Sequence, residues 1–508
     1  MNGQYPALSQ LLEGLMPQHE VMPWDRSILD VSQDSRDLKP GSLFLARAGL
    51  HSHGLDFLEQ IIGQGLAAII AEPTAVWDEA RIAKAALEVE VPILPLPGLG
   101  QHISQIAGAF FGHPSQSMRL VGITGTNGKT SCALGLAQAF EHLDQTLVIG
   151  TLGHGRPGQI TPGSHTTPDA VSLQRMLAAY LGQGVWRAVM EVSSHALDQG
   201  RVAALRFATA VFTNLSRDHL DYHGDMQSYG LAKAELFEMP GLGAAVINAD
   251  DALAETLVGR LAPGVRLALY GSGLPVQLAA RAELRLELKR LEARVGGLQL
   301  LLEVNGEALE LSSTWLGAFN ASNLMAMLGV LLLEGIAPGE AARLLAQVSP
   351  PPGRMEAFGG GQGPLVVVDY AHTPDALEQA LKALRPHCPG RLALVFGCGG
   401  DRDQGKRPLM GAIAERLADR VILTNDNPRS EPGQRIVEAI LAGMQQPERA
   451  EVELDRAAAI RLGLTDMGQG DLLAVCGKGH ESTQQIGAEL RDFSDRLWVQ
   501  RLLTGEAA

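Results

Sequence analysis

Cysteine is scarce in this 508-residue chain, and the four present (Cys132, Cys388, Cys398, Cys476) form neither a C-x-x-C pair nor a Cys/His zinc spacing. That excludes a disulfide framework and suits small buried thiols kept reduced in a cytosol. Long apolar runs are missing too. The most apolar window, 324–333, is about half of what a membrane span needs. Residues 1–15 carry no basic segment leading into an apolar core, so no signal peptide is expected. Positive charge is in deficit: 41 Lys and Arg against 56 Asp and Glu leave −15 at pH 7. A nucleic-acid partner needs clustered cations and is excluded on that ground, whereas one bound nucleotide needs only a local cradle. Solenoid repeats and low-complexity tracts are absent. A soluble, cytoplasmic protein is expected, with no nucleic-acid partner and no membrane.

The length suggests roughly three domains, each able to bury its own core. Up to residue 100, short apolar runs (42–45, 67–71, 91–96) alternate with helical or loop stretches, as in a small α/β domain. It closes at Pro97-Gly98-Leu99-Gly100, and a helix is expected over 103–111. From 101 to 349, buried-type strands at 120–123, 188–192, 208–214 and 244–248 alternate with helices, which implies a mostly parallel sheet covered on both faces. Residues 284–311 alternate apolar and polar side chains, as antiparallel strands with one wet face do, and a helix follows over 323–333. Pro350-Pro351-Pro352-Gly353 marks a hinge. Beyond it, 350–508 repeats strand and helix in a Rossmann-like order: strands at 365–370, 392–397, 420–424 and 472–476, helices at 374–384, 409–417, 435–444 and 457–464. No G-x-G-x-x-G follows the first of these strands, so a dinucleotide is not expected. The fold class is α/β in three domains.

The most informative segment is Gly125-Thr126-Asn127-Gly128-Lys129-Thr130, set between the strand at 120–123 and a helix expected over 132–143. Such a turn aims backbone N–H groups and a helix N-terminus at one point, where phosphate binds. Lys129 reaches the terminal phosphates, and the Thr130 hydroxyl suits Mg²⁺. The broad pattern asks for Gly where Ile123 stands, so this is a narrower variant.

Other polar clusters end strands, where ligands collect in parallel sheets. Glu191, before Val192-Ser193-Ser194-His195, is placed for Mg²⁺, or else caps the next helix. Ser216 to Gly224 packs six ionisable side chains into nine positions; a solvated surface run is the bland alternative. Lys233, on pattern alone, is a helical surface lysine. Four loops of the last block are polar: Asp369 to Asp375, Gly399 to Arg407, Asp426-Asn427-Pro428-Arg429, and Gly477 to Glu481. Arg402 and Arg429 can each clamp a carboxylate bidentately, which Lys does poorly.

Together with Gly317-Ala-Phe-Asn320 and Gly353-Arg354, these motifs resemble the Mur ligases, in order and over nearly the whole chain. These are the ATP-dependent amide-bond ligases of peptidoglycan precursor synthesis. Within them, the chain resembles those that add the third residue to UDP-N-acetylmuramoyl-L-alanyl-D-glutamate. The resemblance implies ATP as co-substrate, Mg²⁺ as cofactor and a monomer. It implies a UDP-substrate-binding domain (1–100), a central ATP-binding domain (101–349) and an amino-acid-binding domain (350–508), with closure near residue 350 assembling the site.

Residue by residue, it implies that Gly125 to Thr130 hold ATP together with Asn320, Arg354 and Asp369, the last two from across the hinge. Thr130 and Glu191 hold one Mg²⁺. His219 binds a second metal, with Lys233 carbamylated by CO₂ to help position it. Lys129, Glu191, His219 and Lys233 are thus the catalytic set. Gln33, Ser35, Leu50, His51 and Ser52 resemble the uridine-nucleotide site, and His165, Thr166, Thr167, Ser193, Gln199 and Arg201 the muramoyl-dipeptide site. His165 stands where asparagine is expected. Asp426-Asn427-Pro428-Arg429 matches the form associated with meso-diaminopimelate, bound with Arg402, Gly477 and Glu481. The charges agree: diaminopimelate has a second carboxylate, lysine has none, and buried unpaired Arg groups would reject lysine.

Two rival readings have different requirements. A folylpolyglutamate synthetase-like ligase shares the phosphate loop, and the large N-terminal block with Asp34-Ser35-Arg36 counts against it. A nucleotide switch needs only the loop, and no Asn-Lys-x-Asp guanine signature occurs.

Overall fold

The computed structural model describes residues 5–49, 52–163 and 165–505, which divide into two compact units. One takes the chain up to Ala133, then Phe140–Ile247 and Asp251–Leu267. The other takes Leu134–Ala139, Asn248–Asp250 and the chain from Ala268 on.

In the first unit the early apolar runs form a parallel sheet of β1 (Asp30–Ser32), β2 (Ser42–Ala46), β3 (Ala68–Ala71) and β4 (Ile93–Pro95), neighbours in that order. All of β2 and β3 is buried, as in a strand covered on both faces. Helix α1 (Leu99–Phe110) follows, with Gly98 as a left-handed N-cap. It starts four residues before the apolar periodicity does, because its first turn carries Gly100, Gln101 and His102.

The next elements are β5 (Arg119–Thr124), α2 (Lys129–Glu141), β6 (Thr146–Gly150), β7 (Gly153–Arg156), β8 (Gln159–Thr161), α3 (Ala170–Gly182), β9 (Arg187–Glu191), α4 (Ser194–Asp198), β10 (Thr209–Phe212), α5 (Met226–Ala234) and β11 (Ala244–Asn248). Their strands run in the order β11-β10-β5-β9-β6-β7-β8, parallel from β11 to β6 and antiparallel at β7 and β8. Central β5 pairs Ile123 with Glu191 and Thr124 with Phe212. The loop leaving its carboxyl end is therefore flanked by the ends of β9 and β10. Helix α2 begins at Lys129, not at Cys132, with Gly128 at φ +86° as its N-cap.

In the second unit, β12 (Arg266–Gly271) lies parallel to β13 (Leu284–Arg294), which pairs antiparallel with β14 (Gly297–Val304), and that with β15 (Glu307–Ser313). Buried and half-buried residues alternate along most of β14, matching the expected wet face. Helix α6 (Phe319–Leu333) follows. The chain before the proline cluster is pinned: Trp315 Nε1 donates to Val348 O at 2.9 Å, and Gln138 brackets Ser349, accepting from its N–H at 2.9 Å and donating to its carbonyl at 3.1 Å.

The last sheet comprises β16 (Glu356–Gly359), β17 (Leu365–Asp369), β18 (Leu392–Phe396), β19 (Arg420–Leu423), β20 (Glu451–Val452) and β21 (Leu472–Cys476), with helices α7 (Pro374–Leu384), α8 (Lys406–Leu417), α9 (Gly433–Leu441), α10 (Arg456–Leu464) and α11 (Asp495–Thr504). Strand order is β16-β17-β21-β18-β19-β20, parallel except for β16. Alternate residues of β17 enter two different cores, Leu365 and Val367 one, Val366 and Val368 the other, so both faces are covered. With β21 between β17 and β18, the loops after β17, β18, β19 and β21 open on one edge. A hairpin, β22 (Thr483–Ile486) and β23 (Glu489–Asp492), follows. Among the described residues no helix is long and apolar enough to cross a membrane.

Candidate active site

The phosphate loop is held by the strand ends beside it. Thr213 Oγ1 donates to Asn127 O at 2.6 Å. Asn214 takes the Asn127 N–H at 3.0 Å on Oδ1 and receives Thr126 N on its backbone oxygen at 2.8 Å. Gly125 sits at φ +148°, and a Cβ there would lie 1.9 Å from Thr213 Oγ1, so only glycine fits. Lys129 Nζ donates to Gly125 O at 2.7 Å and Thr126 O at 2.9 Å. Burial lowers its pKa, against the opposing charges of Glu191 and Asp218.

Glu191 ends β9 buried beside that loop. Its Oε2 accepts from Thr130 Oγ1 at 3.0 Å and Thr151 Oγ1 at 3.2 Å, and its Oε1 from Thr151 N at 2.7 Å. Burial raises its pKa, while the Thr151 N–H and the Lys129 charge oppose the rise. Thr130 and Glu191 present oxygen donors to one point.

Lys233 is the main departure from pattern. It is 1% exposed, not a surface lysine, because α5 turns that face inward. Its Nζ donates to Gly125 O at 3.1 Å and lies 4.1 Å from the Tyr229 ring centre. Burial first, then the positive charge of Lys129, lower its pKa to about 6. His219 adopts a left-handed φ of +52°. Its ring meets His195 edge-on at 4.9 Å and Tyr229 at 6.0 Å, and its Nε2 lies 3.5 Å from Asp218 Oδ2. Among the described residues, no three or more His, Cys, Asp and Glu side chains gather to hold a metal by themselves. The donors here are instead hydroxyl, carboxylate, imidazole and amine.

A cleft of about 600 Å³ in the same unit is lined by Gln33, Ser35, Ser52, His165, Gln199 and Arg201, together with Arg36 and Arg47. Gln33 Oε1 is buried without a partner among the described residues. Gln199 Oε1 receives Arg201 Nε at 3.0 Å and Nη2 at 2.7 Å. Thr166, Thr167 and Ser193 do not line the cleft, and Thr167 instead links Arg201 to Glu191. Arg201 Nη1 donates to Thr167 O at 2.8 Å, Thr167 Oγ1 donates to Glu191 O at 2.8 Å and accepts from Ser193 N at 3.1 Å, and Thr166 and Thr151 hydroxyls meet at 3.0 Å. Leu50 and His51 lie outside the described residues.

In the second unit, Asn320 is buried at the start of α6, its Nδ2 on Leu316 O at 2.8 Å. Asp369 accepts from Met355 N and Ala371 N, and burial raises its pKa against those bonds. Arg354 lies 5.0 Å from the centre of the Tyr370 ring.

The four polar loops do converge. Arg402 Cγ and Arg429 Nη1 would lie 3.7 and 3.1 Å from a Cβ on Gly399, and Arg429 Nη1 donates to Gly400 O at 2.7 Å. Asp426 is buried beside Gly477, and burial raises its pKa against the charges of Arg456 and Lys478. Asn427 Nδ2 donates to Glu481 Oε2 at 2.9 Å. Pro428 O packs against Gly400. Reading the sequence missed Arg47 as a cleft residue; a lone arginine just after a buried strand carries no pattern that marks it.

The Mur ligase middle domain family matches residues 123–331, and the Mur ligase, glutamate ligase domain family matches residues 353–479. The chain is 45% identical over 499 residues to the UDP-N-acetylmuramoyl-L-alanyl-D-glutamate--2,6-diaminopimelate ligase of Xanthomonas oryzae pv. oryzae, covering 98% of this chain and 97% of that protein. It is 46% identical to the ligase of the same name from Chromobacterium violaceum, covering 95% and 97%. A solved structure of a ligase of that name superposes with a TM-score of 0.74 at 33% identity, covering 95% and 96%. A Mycobacterium tuberculosis folylpolyglutamate synthase complexed with ADP and AMPPCP shares the fold, with a TM-score of 0.56 at 21% identity, covering 80% of this chain and 96% of that one.

Proposed function

The chain belongs to the Mur ligase family, and on that premise we propose that it is the ATP-dependent ligase joining meso-2,6-diaminopimelate to UDP-N-acetylmuramoyl-L-alanyl-D-glutamate in peptidoglycan precursor synthesis. The observation that carries this reading is likeness to ligases named for that reaction over 98% of the chain. The site chemistry supports it: a phosphate loop and an arginine-bearing cleft share one unit, and Arg402 and Arg429 gather round Gly399 in the other.

In this mechanism the cleft holds the UDP-muramoyl-dipeptide through Gln33, Ser35, Ser52, His165, Gln199 and Arg201. The terminal D-Glu carboxylate attacks the γ-phosphorus of ATP, and ADP leaves with the β–γ bridging oxygen. Lys129 and the loop N–H groups offset the charge gathering on the transferred phosphoryl oxygens. The neutral α-amine of diaminopimelate attacks the acyl carbon, phosphate leaves, and the amine gives up a proton. Arg402 and Arg429 hold the distal carboxylate, while Gly477 and Glu481 receive the distal ammonium. Asn320, Arg354 and Asp369 contact the nucleotide.

Thr130 and Glu191 fit Mg²⁺, which takes oxygen ligands and keeps several waters; bound there, it supplies Lewis-acid stabilisation of phosphate charge. A neutral Lys233 amine is the form that adds CO₂, and the resulting carbamate with His219 offers donors for a second Mg²⁺. We assign the three domains to 1–100, 101–349 and 350–508, and place the protein in the cytoplasm as a monomer.

The test is phosphate release from ATP and Mg²⁺ with the UDP-muramoyl-dipeptide, adding meso-diaminopimelate or L-lysine in parallel. Release with diaminopimelate alone, and a tripeptide of matching mass, supports the reading. Release with lysine overturns the specificity, and release without any amino acid overturns the ligase.

A further inference from the structure

One buried cation beneath the amino-acid loops has no part in the chemistry above. Lys478, in the turn after β21, is 0% exposed. All three ammonium protons are placed: Nζ donates to Thr483 O at 2.7 Å, Glu481 Oε2 at 2.9 Å and Asn427 Oδ1 at 3.2 Å. Burying an ammonium is costly unless it is fully bonded and faces an anion, and here both conditions hold. Asn427 and Glu481 come from the two loops assigned to the distal end of diaminopimelate, one after β19 and one after β21, and Thr483 opens β22.

The rest of the network depends on that centre. Asn427 Oδ1 also accepts from Gln485 N at 2.9 Å, and its Nδ2 donates to Glu481 Oε2 at 2.9 Å. Arg429 N donates to Gln485 O at 3.2 Å, and Gly487 N donates to Arg429 O at 2.7 Å. Arg429 itself stands at φ +51°, a backbone that a β-carbon disfavours and that neighbouring bonds must hold. Both bonds to the Glu481 carboxylate fall on Oε2, leaving Oε1 as its open acceptor. Burial alone would raise the Glu481 pKa, but the Lys478 bond and charge, with Asn427, hold it below the usual value, so it stays an anion.

We infer that Lys478 is a specificity-determining positioning residue: by tying Glu481 Oε2 to Asn427 Oδ1 it fixes which carboxylate oxygen meets the distal ammonium and how far that oxygen stands from Arg429. Lys478 touches no substrate and acts through Glu481 and Asn427. The inference rests on the ligase reading above and deepens it, because it assigns the separation between ammonium and carboxylate subsites to one buried side chain.

The experiment is steady-state kinetics on the full chain, with KM measured separately for ATP, the UDP-muramoyl-dipeptide and meso-diaminopimelate. The variants are Lys478→Met, Glu481→Gln and their double. Lys478→Met raises the KM for diaminopimelate by about 10-fold or more, leaves the other two KM values and kcat within about threefold, and is non-additive with Glu481→Gln. Lys478→Gln, which keeps an amide donor in a smaller side chain, carries the same test if the methionine variant does not fold. An unchanged KM for diaminopimelate, a parallel rise in all three KM values, or additive losses in the double variant overturns the inference. Wild-type protein showing no diaminopimelate-dependent phosphate release overturns the ligase reading instead.

Discussion

Lys129 and Lys233 donate to the same carbonyl, that of Gly125, at 2.7 and 3.1 Å. Burial lowers both pKa values, and at about 6 the Lys233 amine is neutral at pH 7. A carbamate on Lys233 would place an anion beside Lys129, where the neutral amine offers no charge.

Lys129→Ala should lower kcat for tripeptide formation by about 10²–10³-fold or more, with the far-ultraviolet circular dichroism unchanged. Full turnover in a folded variant would remove the phosphate-loop assignment.

The pKa of about 6 at Lys233 sets a pH window. The neutral amine is the nucleophile toward CO₂ and forming the carbamate releases a proton, so at fixed dissolved CO₂ the carbamate fraction should rise with pH toward saturation and fall most steeply below pH 6, where the amine is protonated as well. At pH 7 such an amine is about 10³-fold more available than an ordinary lysine. Carbon-13 NMR of protein supplied with labelled CO₂ reads this directly. Lys233→Ala should lose most activity and regain part of it in short-chain carboxylates; undiminished activity discards the carbamate.

Arg429→Lys keeps the charge but loses the planar fork. We expect the KM for meso-diaminopimelate to rise by about 10-fold or more, with a smaller preference over L-lysine. Equal discrimination in the variant would mean that the distal carboxylate is read elsewhere.

Arg456 and Asp495 form a fully buried pair, with Nε–Oδ1 at 2.7 Å and Nη2–Oδ2 at 2.8 Å. Asp495→Asn leaves the guanidinium without its anion and should cost about 3–5 kcal/mol in denaturant unfolding. Arg456→Met with Asp495→Leu should recover most of that loss. Nη2 also donates to Cys476 O at 3.0 Å and Nη1 to Asn425 O at 3.2 Å, so the single variant should also loosen the loops after β19 and β21.

Much of the parallel-strand framework was legible, because a strand covered on both faces writes itself as an unbroken apolar run; strands 244–248 and 472–476 are found at their expected limits, as is the helix at 374–384. Helix starts were less legible. At 99, 129, 319 and 406 the first turn is polar or glycine-bearing, and only after it does an apolar stripe begin. In the site, loops at strand ends could be read from position. The burial of Lys233 and Lys478 could not, since a lysine in a helix or a glycine-rich turn gives no sign of which way it faces. Lys233 is held at Gly125, far away in sequence, and Lys478 by its own turn together with Asn427.

Strand β21 enters the middle of its sheet, between β17 and β18, roughly a hundred residues after β17 has left the ribosome. Until residues 472–476 emerge, β17 and β18 have no shared neighbour, and long-range pairing of this kind forms late. The edge carrying the loops after β17, β18, β19 and β21 is thus completed only near the end of synthesis. A chain stalled before residue 472 can carry an intact phosphate loop while the middle of its last sheet is still missing.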